Sequence, residues 1–248
     1  MGCPFPINSP KSNIIAQLQK AILPLQGFKR MANRGTLDVL PRVIKNAFPH
    51  AEFPLGAVHE FISMGAENAA ATGGFVAGML GSLMRGGGAC IWISSFQIIF
   101  PPALKSFGIA PDKIIFINVK KQKEILWAME EALKCDSLSA VICEIRDLSF
   151  NASRRLQLTV EQSGVTGFIL HNNPPVLNTT ACVTRWRITS LPSQLPGMPG
   201  VGFARWNVEL LKVRNGKPGS WEIEFAAGRF RHISKVSAIA PDQQKKTG

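Results

Sequence analysis

The stretch GAVHEFISMGAENAAATGGF, residues 56–75, decides the fold. Its first part, residues 56–62, has the apolar pattern of a buried strand. From Gly65 onward it becomes a run of small residues, for which we predict a helix that ends near Met84. A second apolar strand, ACIWIS (89–94), follows. A strand, a helix and a second apolar strand form a βαβ unit, from which parallel sheets are built.

The same alternation continues along the chain. Further strands are predicted at 114–119, 140–145, 166–170 and 181–190, and further helices at 101–107, 121–135 and 153–163. Apolar strands that alternate with helices indicate a sheet covered on both faces. We therefore predict an α/β fold with a twisted, mostly parallel sheet.

An antiparallel hairpin is predicted near the carboxyl end. Two alternating runs, 204–214 and 220–226, flank Asn215-Gly216, a pair suited to positive φ. The predicted organisation is an N-terminal helical arm and connector (1–52, with helices at 12–23 and 36–47), a core (53–190), a linker and hairpin (191–233) and a flexible tail (234–248).

Composition restricts the class of protein. With 248 residues and 46% hydrophobic side chains, the chain can form a sizeable core. Its longest apolar runs are far shorter than the roughly 20 residues that cross a bilayer, and no export or lipid-anchor signal is present. The five cysteines are scattered and the four histidines dispersed, which argues against disulfides and metal sites. We expect a cytoplasmic protein with reduced thiols.

The formal charge of +12 is unevenly distributed. Residues 1–150 contribute +4 and residues 151–248 contribute +8. Such a balance favours contact with a polyanion or an acidic protein, while a solvated basic surface is the alternative.

Residues 65–72 have the spacing of the phosphate-binding loop GxxxxGK[S/T], with two key positions changed. Gly65 and Thr72 are in place and Glu67 lies between them, but Ala70 replaces the second glycine and Ala71 replaces the lysine. In such loops the glycine lets the backbone approach the phosphates and the lysine neutralises their oxygens. The charge that stabilises a transferring phosphoryl group is therefore absent.

From Phe53 to Thr189 the chain resembles the RecA-type ATPase core, and more closely the ImuA family. The resemblance spans about residues 53–226 and rests on the stretches 53–68, 126–145, 153–170, 184–193 and 205–225. It implies a RecA-like sheet, with the C-terminal hairpin added to it.

The resemblance also implies loss of catalysis. Phe96 stands where a recombinase has its catalytic glutamate, and Glu144 stands at the place of the metal-binding aspartate. We therefore predict no catalytic residues, no metal and no cofactor, and a vestigial nucleotide site formed by Gly65, Glu67, Thr72 and Glu144. Whether ATP binds without hydrolysis stays open.

Contacts with DNA are expected to be weak. The loop at 171–180 is short beside the mobile loop that recombinases use on single strands. Candidate residues for partner or DNA contact are Arg154, Arg155, Arg185, Arg187, Arg205, Trp206 and Trp221. The alternatives are a solvated helix face and sheet edge for the arginines, and a place in the core for each tryptophan.

The resemblance implies a non-catalytic adaptor in damage-induced translesion synthesis, part of the SOS response. Its partners would be an ImuB-type polymerase homologue and a DnaE-type polymerase, with RecA contact and homo-oligomers left open. Two alternatives remain: a divergent RecA-class ATPase, and a SulA-like cell-division inhibitor that binds FtsZ.

Overall fold

The computed structural model describes residues 37–95, 99–193 and 202–233. Some of the predicted features lie outside these residues: the helix at 12–23, Phe96, most of the linker, and the tail at 234–248.

The described residues form one nine-stranded sheet. Its strands are β1 (Val58–Ser63), β2 (Ala89–Ser94), β3 (Ile114–Asn118), β4 (Leu138–Ile145), β5 (Thr166–Asn172), β6 (Thr184–Leu191), β7 (Ala204–Val213), β8 (Gly219–Ala226) and β9 (Arg229–His232). Their order is β3-β2-β4-β5-β1-β6-β7-β8-β9. Across the sheet, the first six strands in this order, β3-β2-β4-β5-β1-β6, pair in parallel. Strands β6 to β9 form an antiparallel meander. The predicted fold class, a mostly parallel α/β sheet with C-terminal antiparallel strands, is confirmed.

The α-helices are α1 (Arg42–Lys45), α2 (Ala66–Leu83), α3 (Gln122–Leu133) and α4 (Phe150–Ser163). Short 3₁₀ helices lie at Pro49–Ala51, Met84–Gly86, Pro101–Phe107 and Pro111–Lys113. Two helices differ from their predicted bounds by three residues or more. The helix predicted at 36–47 is reduced to the four residues of α1, which begins directly after Pro41. Helix α4 begins three residues earlier than predicted, because the Ser149 hydroxyl accepts the Ala152 backbone N–H as an N-cap.

Helices cover both faces of the sheet. On one face α2 places Phe75 against Phe61 of β1 and the core around it. On the other face α3 and α4 contribute Met129 and Val160 to a second core that includes Val58 of β1. Both faces of the parallel strands are therefore apolar, as the uninterrupted hydrophobic runs predict.

Glycines along α2 allow the C-terminal meander to pack closely on this helix. A Cβ atom at Gly74 would lie 3.2 Å from the Trp206 ring, and one at Gly78 would lie 2.5 Å from the Phe230 ring. These two glycines share one face of the helix because they are four residues apart. Aromatic side chains of β7 and β9 therefore occupy the volume that larger α2 residues would fill.

The C-terminal meander contains one strand, β9, that was not predicted. The turn between β7 and β8 places Asn215 at φ 59°, as the Asn-Gly pair predicts. Strand β9 was not predicted, because its turn uses Ala227 at φ 50° with Gly228 at φ 71°. Alanine rarely adopts positive φ, so the sequence carries no clear signal for this turn.

We expect Gly81→Ala to destabilise the protein. A Cβ at Gly81 would fall on the backbone carbonyl oxygen of Phe107, which cannot move without shifting its chain segment. The overpacking cost of about 1–3 kcal/mol then exceeds the roughly 1 kcal/mol that alanine contributes in a helix. Urea unfolding monitored by circular dichroism measures the change.

The matched control is Gly73→Ala in the same helix. The nearest atom to its added Cβ is Ile99 Cδ1 at 4.0 Å, so this variant should be as stable as the parent or slightly more stable. Equal stabilisation by both substitutions would contradict the close packing at Gly81.

Candidate functional site

The corner between β1 and α2 holds the residues of the degenerate phosphate motif. Gly65 is the N-cap of α2 at φ 81°, and its N–H donates to Asn173 Oδ1 at 2.7 Å. Helix α2 begins at Ala66. Its first backbone hydrogen bond is donated by the Ala69 N–H to the Gly65 carbonyl. A phosphate-binding loop instead turns several backbone N–H groups toward one point in front of the helix. Here the chain is helical throughout the motif after Gly65.

The side chains of this corner also point away from a shared site. Glu67 and Ala70 are exposed, whereas Ala71 is 6% exposed and belongs to the core between α2 and the sheet. Thr72 is fully buried, and its hydroxyl has no hydrogen-bond partner within the described part of the chain. A threonine in this position cannot reach a metal ion in solvent without movement of the helix.

The Asn68 side chain connects the start of α2 to β6, the strand next to β1. Its Nδ2 donates to the Met64 carbonyl at 2.8 Å, and its Oδ1 accepts the Ser190 backbone N–H at 3.0 Å. The first turn of α2 is thereby fixed to β6.

Glu144 lies at the carboxyl end of β4, the sheet edge at which open α/β sheets bind ligands. Its Oε1 accepts Trp92 Nε1–H at 2.7 Å, and its Oε2 accepts Asn172 Nδ2–H at 3.3 Å. Asn172 in turn accepts the Ser63 hydroxyl at 2.8 Å. The strands β1, β2, β4 and β5 are therefore linked at this edge by hydrogen bonds among their own side chains.

The donors around Glu144 are neutral. Burial raises the pKa of Glu144 above its ordinary value, and the hydrogen bond from Trp92 only partly opposes this effect. A carboxyl group in such surroundings is more easily protonated than one that binds a metal ion, because no positive charge stabilises its ionised form.

A second buried glutamate, Glu60, lies in β1 on the opposite face of the sheet. Its Oε2 accepts from Arg185 Nε at 2.8 Å and from the Thr180 hydroxyl at 2.8 Å, and its Oε1 lies 3.0 Å from His171 Nε2. Burial alone would raise the pKa of Glu60, but the hydrogen bonds and charges of His171 and Arg185 hold that pKa below its usual value. Glu60 is therefore ionised and paired.

This cluster was not predicted from the sequence. A signal was present, because Glu60 interrupts an otherwise apolar strand and glutamate is almost never fully buried unless it is paired. The partners come from β5, β6 and the segment between them, and Thr180 and Arg185 lie 120 and 125 residues along the chain from Glu60. Sequence spacing gives no indication of that meeting.

The segment between β5 and β6, residues 173–183, is fixed in place at several points. The Asn178 side chain donates to Asp147 Oδ1 at 2.7 Å, and the Asn178 carbonyl accepts from Arg185. The Ala181 N–H donates to the Ser153 hydroxyl of α4 at 2.9 Å, and Lys212 of β7 donates to the Thr180 carbonyl at 2.7 Å. This segment, which the resemblance compares with a mobile DNA-binding loop, is held by side chains of β6, β7 and α4 and of the loop before α4.

The structure separates the predicted contact residues into several environments. Arg185 forms an ion pair with Glu60, and Arg155 forms one with Glu130 of α3. Arg154 is exposed on α4 and forms no ion pair with a described residue. Arg187 lies 3.7 Å from Glu209 on the same side of the sheet as α4.

The two tryptophans and Arg205 lie in the C-terminal meander. Trp206 is only 4% exposed and packs in the core against α2. Trp221 is partly buried against the same core, and Arg205 is partly exposed on β7. Trp206 is therefore left out of any contact surface, since a partner could reach it only by opening the core.

The residues at 37–95, 99–193 and 202–233 contain no group of three or more His, Cys, Asp or Glu side chains that could hold a metal ion. None of their helices is long and apolar enough to span a bilayer.

We expect the two buried glutamates to respond to very different extents to the same substitution. Glu60→Gln leaves Arg185 without its counter-charge, and should lower the free energy of unfolding by about 3–5 kcal/mol. Glu144→Gln should change it by about 1 kcal/mol or less, because rotation of the Asn172 amide can satisfy the new NH₂ group. Urea unfolding at neutral pH measures both.

Comparison with known proteins shows extended similarity to one group. No protein-family model matches the chain. The chain is 33% identical over 214 residues to Protein ImuA of Caulobacter vibrioides strain NA1000 / CB15N, and the alignment covers 78% of this chain and 87% of that protein. The same identity and coverage hold for Protein ImuA of strain ATCC 19089 / CIP 103742 / CB 15 of that species.

Proposed function

This chain belongs to the ImuA family, and we propose that it acts in the cytoplasm as a non-catalytic, RecA-like adaptor in DNA-damage-induced mutagenesis. In this proposal it joins an ImuB-type polymerase homologue to a DnaE-type polymerase during translesion synthesis. The observation that supports the non-catalytic part is the corner after β1, where the motif residues 66–72 are helical and Thr72 is buried.

Three further features support the same part of the proposal. Position 71 carries alanine in the core, so no lysine reaches a phosphate from there. Both carboxylate oxygens of Glu144 already accept hydrogen bonds, from Trp92 and from Asn172. The segment at 173–183 is fixed by Arg185 and Lys212, which does not suit a loop that reorders on single-stranded DNA. A protein with these features is better suited to holding partners than to turning over a nucleotide.

The first test is hydrolysis of ATP by the purified protein. Phosphate release should equal the protein-free blank, with or without single-stranded DNA. The chain has neither the lysine nor the loop of backbone N–H groups that would stabilise the transferring phosphoryl group. Glu144→Gln is the control and should give the same blank value. Turnover that this substitution abolishes would instead identify a divergent ATPase.

The second test is capture of partners by the tagged, full-length chain. We expect it to retain the purified ImuB-type polymerase homologue of the same organism, and the DnaE-type polymerase either directly or through that homologue. FtsZ serves as the comparison protein. Retention of FtsZ together with loss of both polymerases would favour the cell-division inhibitor and contradict the adaptor.

A further inference from the structure

We propose that β3 joins two copies of this chain into a symmetric dimer, in which the two β3 strands pair antiparallel and the two sheets become continuous. This inference goes beyond the adaptor function and does not depend on it. It assigns an interaction surface to the sheet edge opposite β9.

Strand β3 is an unprotected edge of the sheet. It pairs with β2 alone, and among the described residues no backbone hydrogen bond reaches its other side. Its five residues, IIFIN, carry no charge and no proline, its register with β2 is regular, and Ile115 is 52% exposed. Natural proteins usually block an apolar edge with charge, proline or a bulge, because such a strand is a template for another strand. The opposite edge, β9, has four residues of which two are arginines.

Alternate residues of β3 direct their backbone groups to the free edge. The Val119 N–H donates to the Ser94 carbonyl at 3.0 Å, and successive residues of a strand point these groups to opposite sides. The N–H and C=O groups of Ile114, Phe116 and Asn118 therefore point away from β2. An antiparallel strand can satisfy them in pairs, since two directly opposed residues exchange both hydrogen bonds.

A second copy of β3 satisfies these groups when a two-fold axis passes through Phe116. Phe116 then lies opposite its own counterpart, and Ile114 lies opposite Asn118 of the other copy, so every outward group has a partner. A shifted register leaves some of these groups unpaired. The same axis places Ile115 of one copy opposite Ile117 of the other, on the side of the sheet that α3 covers. The exposed Ile115 side chain is thereby covered by a cross-strand contact of the kind that stabilises sheets.

The charges at the two ends of β3 match this register. Asp112 precedes the strand and Lys120 follows it; both are exposed, and neither forms an ion pair with a described residue. The two-fold axis brings Asp112 of each copy beside Lys120 of the other. Of the remaining cations at these ends, Lys121 is paired with Glu124, and Lys113 lies opposite an uncharged residue. This complementarity favours a second copy of the chain over an unrelated strand.

The mass of the full-length chain in solution is the first test. Light scattering after size-exclusion chromatography should give twice 27.0 kDa for the parent chain. Ile115→Lys should reduce it to the single mass, because a charged side chain then replaces the apolar contact beside the axis. Ile115 is half exposed in the single chain, so the variant should keep the parent's circular dichroism spectrum.

The matched control is Leu211→Lys on β7. It replaces another exposed apolar side chain, but β7 has a neighbouring strand on both sides. This variant should therefore remain a dimer.

Exchange of the charges at the strand ends tests the register. Asp112→Lys alone and Lys120→Asp alone should each raise the dissociation constant of the dimer on the order of tenfold, because the two-fold axis places each substitution in the interface twice. The double variant re-forms both ion pairs and should return the constant to the parent value. Both positions are exposed, so the fold is not at risk. Sedimentation equilibrium measures the constants, and their differences should shrink at high salt.

Every other outcome overturns the proposal. A monomeric parent, a dimer that persists in Ile115→Lys or is lost in Leu211→Lys, or charge variants that depart from the expected order would exclude this interface. Masses above the dimer that grow with concentration would show head-to-tail association instead. If the parent is a monomer and Ile115→Lys loses the ImuB-type polymerase homologue in the capture assay, a strand of that partner covers β3. The adaptor function is judged separately, by capture with the parent chain.

Discussion

The pairing of Glu60 with Arg185 is the interaction on which the rest of the structure depends. It joins β1, the central parallel strand, to β6, the strand at which the sheet changes from parallel to antiparallel pairing. The same carboxylate accepts from Thr180 and lies against His171, so the segment between β5 and β6 is anchored to it as well. A buried ion pair of this kind is stable only while both partners are present, because either charge alone is costly in the core.

The sheet contains two buried glutamates with different chemistry. Burial would raise the pKa of Glu60, but its interactions with His171 and Arg185 hold that pKa low, whereas Glu144 accepts only from neutral donors and burial raises its pKa. Glu144 is the group at the sheet edge where open α/β sheets in general bind ligands. The buried ion pair of Glu60 and Arg185 therefore lies on the face of the sheet opposite the degenerate motif. At the edge itself, Glu144 accepts hydrogen bonds from Trp92 and Asn172.

The sequence predicted the main part of the fold and a smaller part of the site. Apolar periodicity located β1 to β5 and their helices, and Asn215-Gly216 located the hairpin, because those signals are local. It missed β9, whose turn depends on positive φ at Ala227, and it began α4 three residues late, because the cap formed by Ser149 starts the helix at Phe150. The Glu60 cluster depends on contacts between distant strands, which periodicity does not report. Alternation placed Trp206 on one face of β7, but only the packing of α2 shows that this face is covered.

The degenerate motif is more than a phosphate loop that has lost two side chains. A lysine restored at position 71 would extend from a backbone whose Cβ lies in the core beside α2, and a glycine at position 70 would weaken an exposed turn of helix without unwinding it. Thr72 would remain buried, and Asn68 and Asn173 would still hold the corner through Ser190 and Gly65. The glycines of this stretch that matter to the structure come later, at 74, 78 and 81, where they admit Trp206, Phe230 and the Phe107 carbonyl. Gly74 and Gly78 are therefore explained by the packing of α2 against the C-terminal strands, and Gly81 by its close approach to the Phe107 carbonyl.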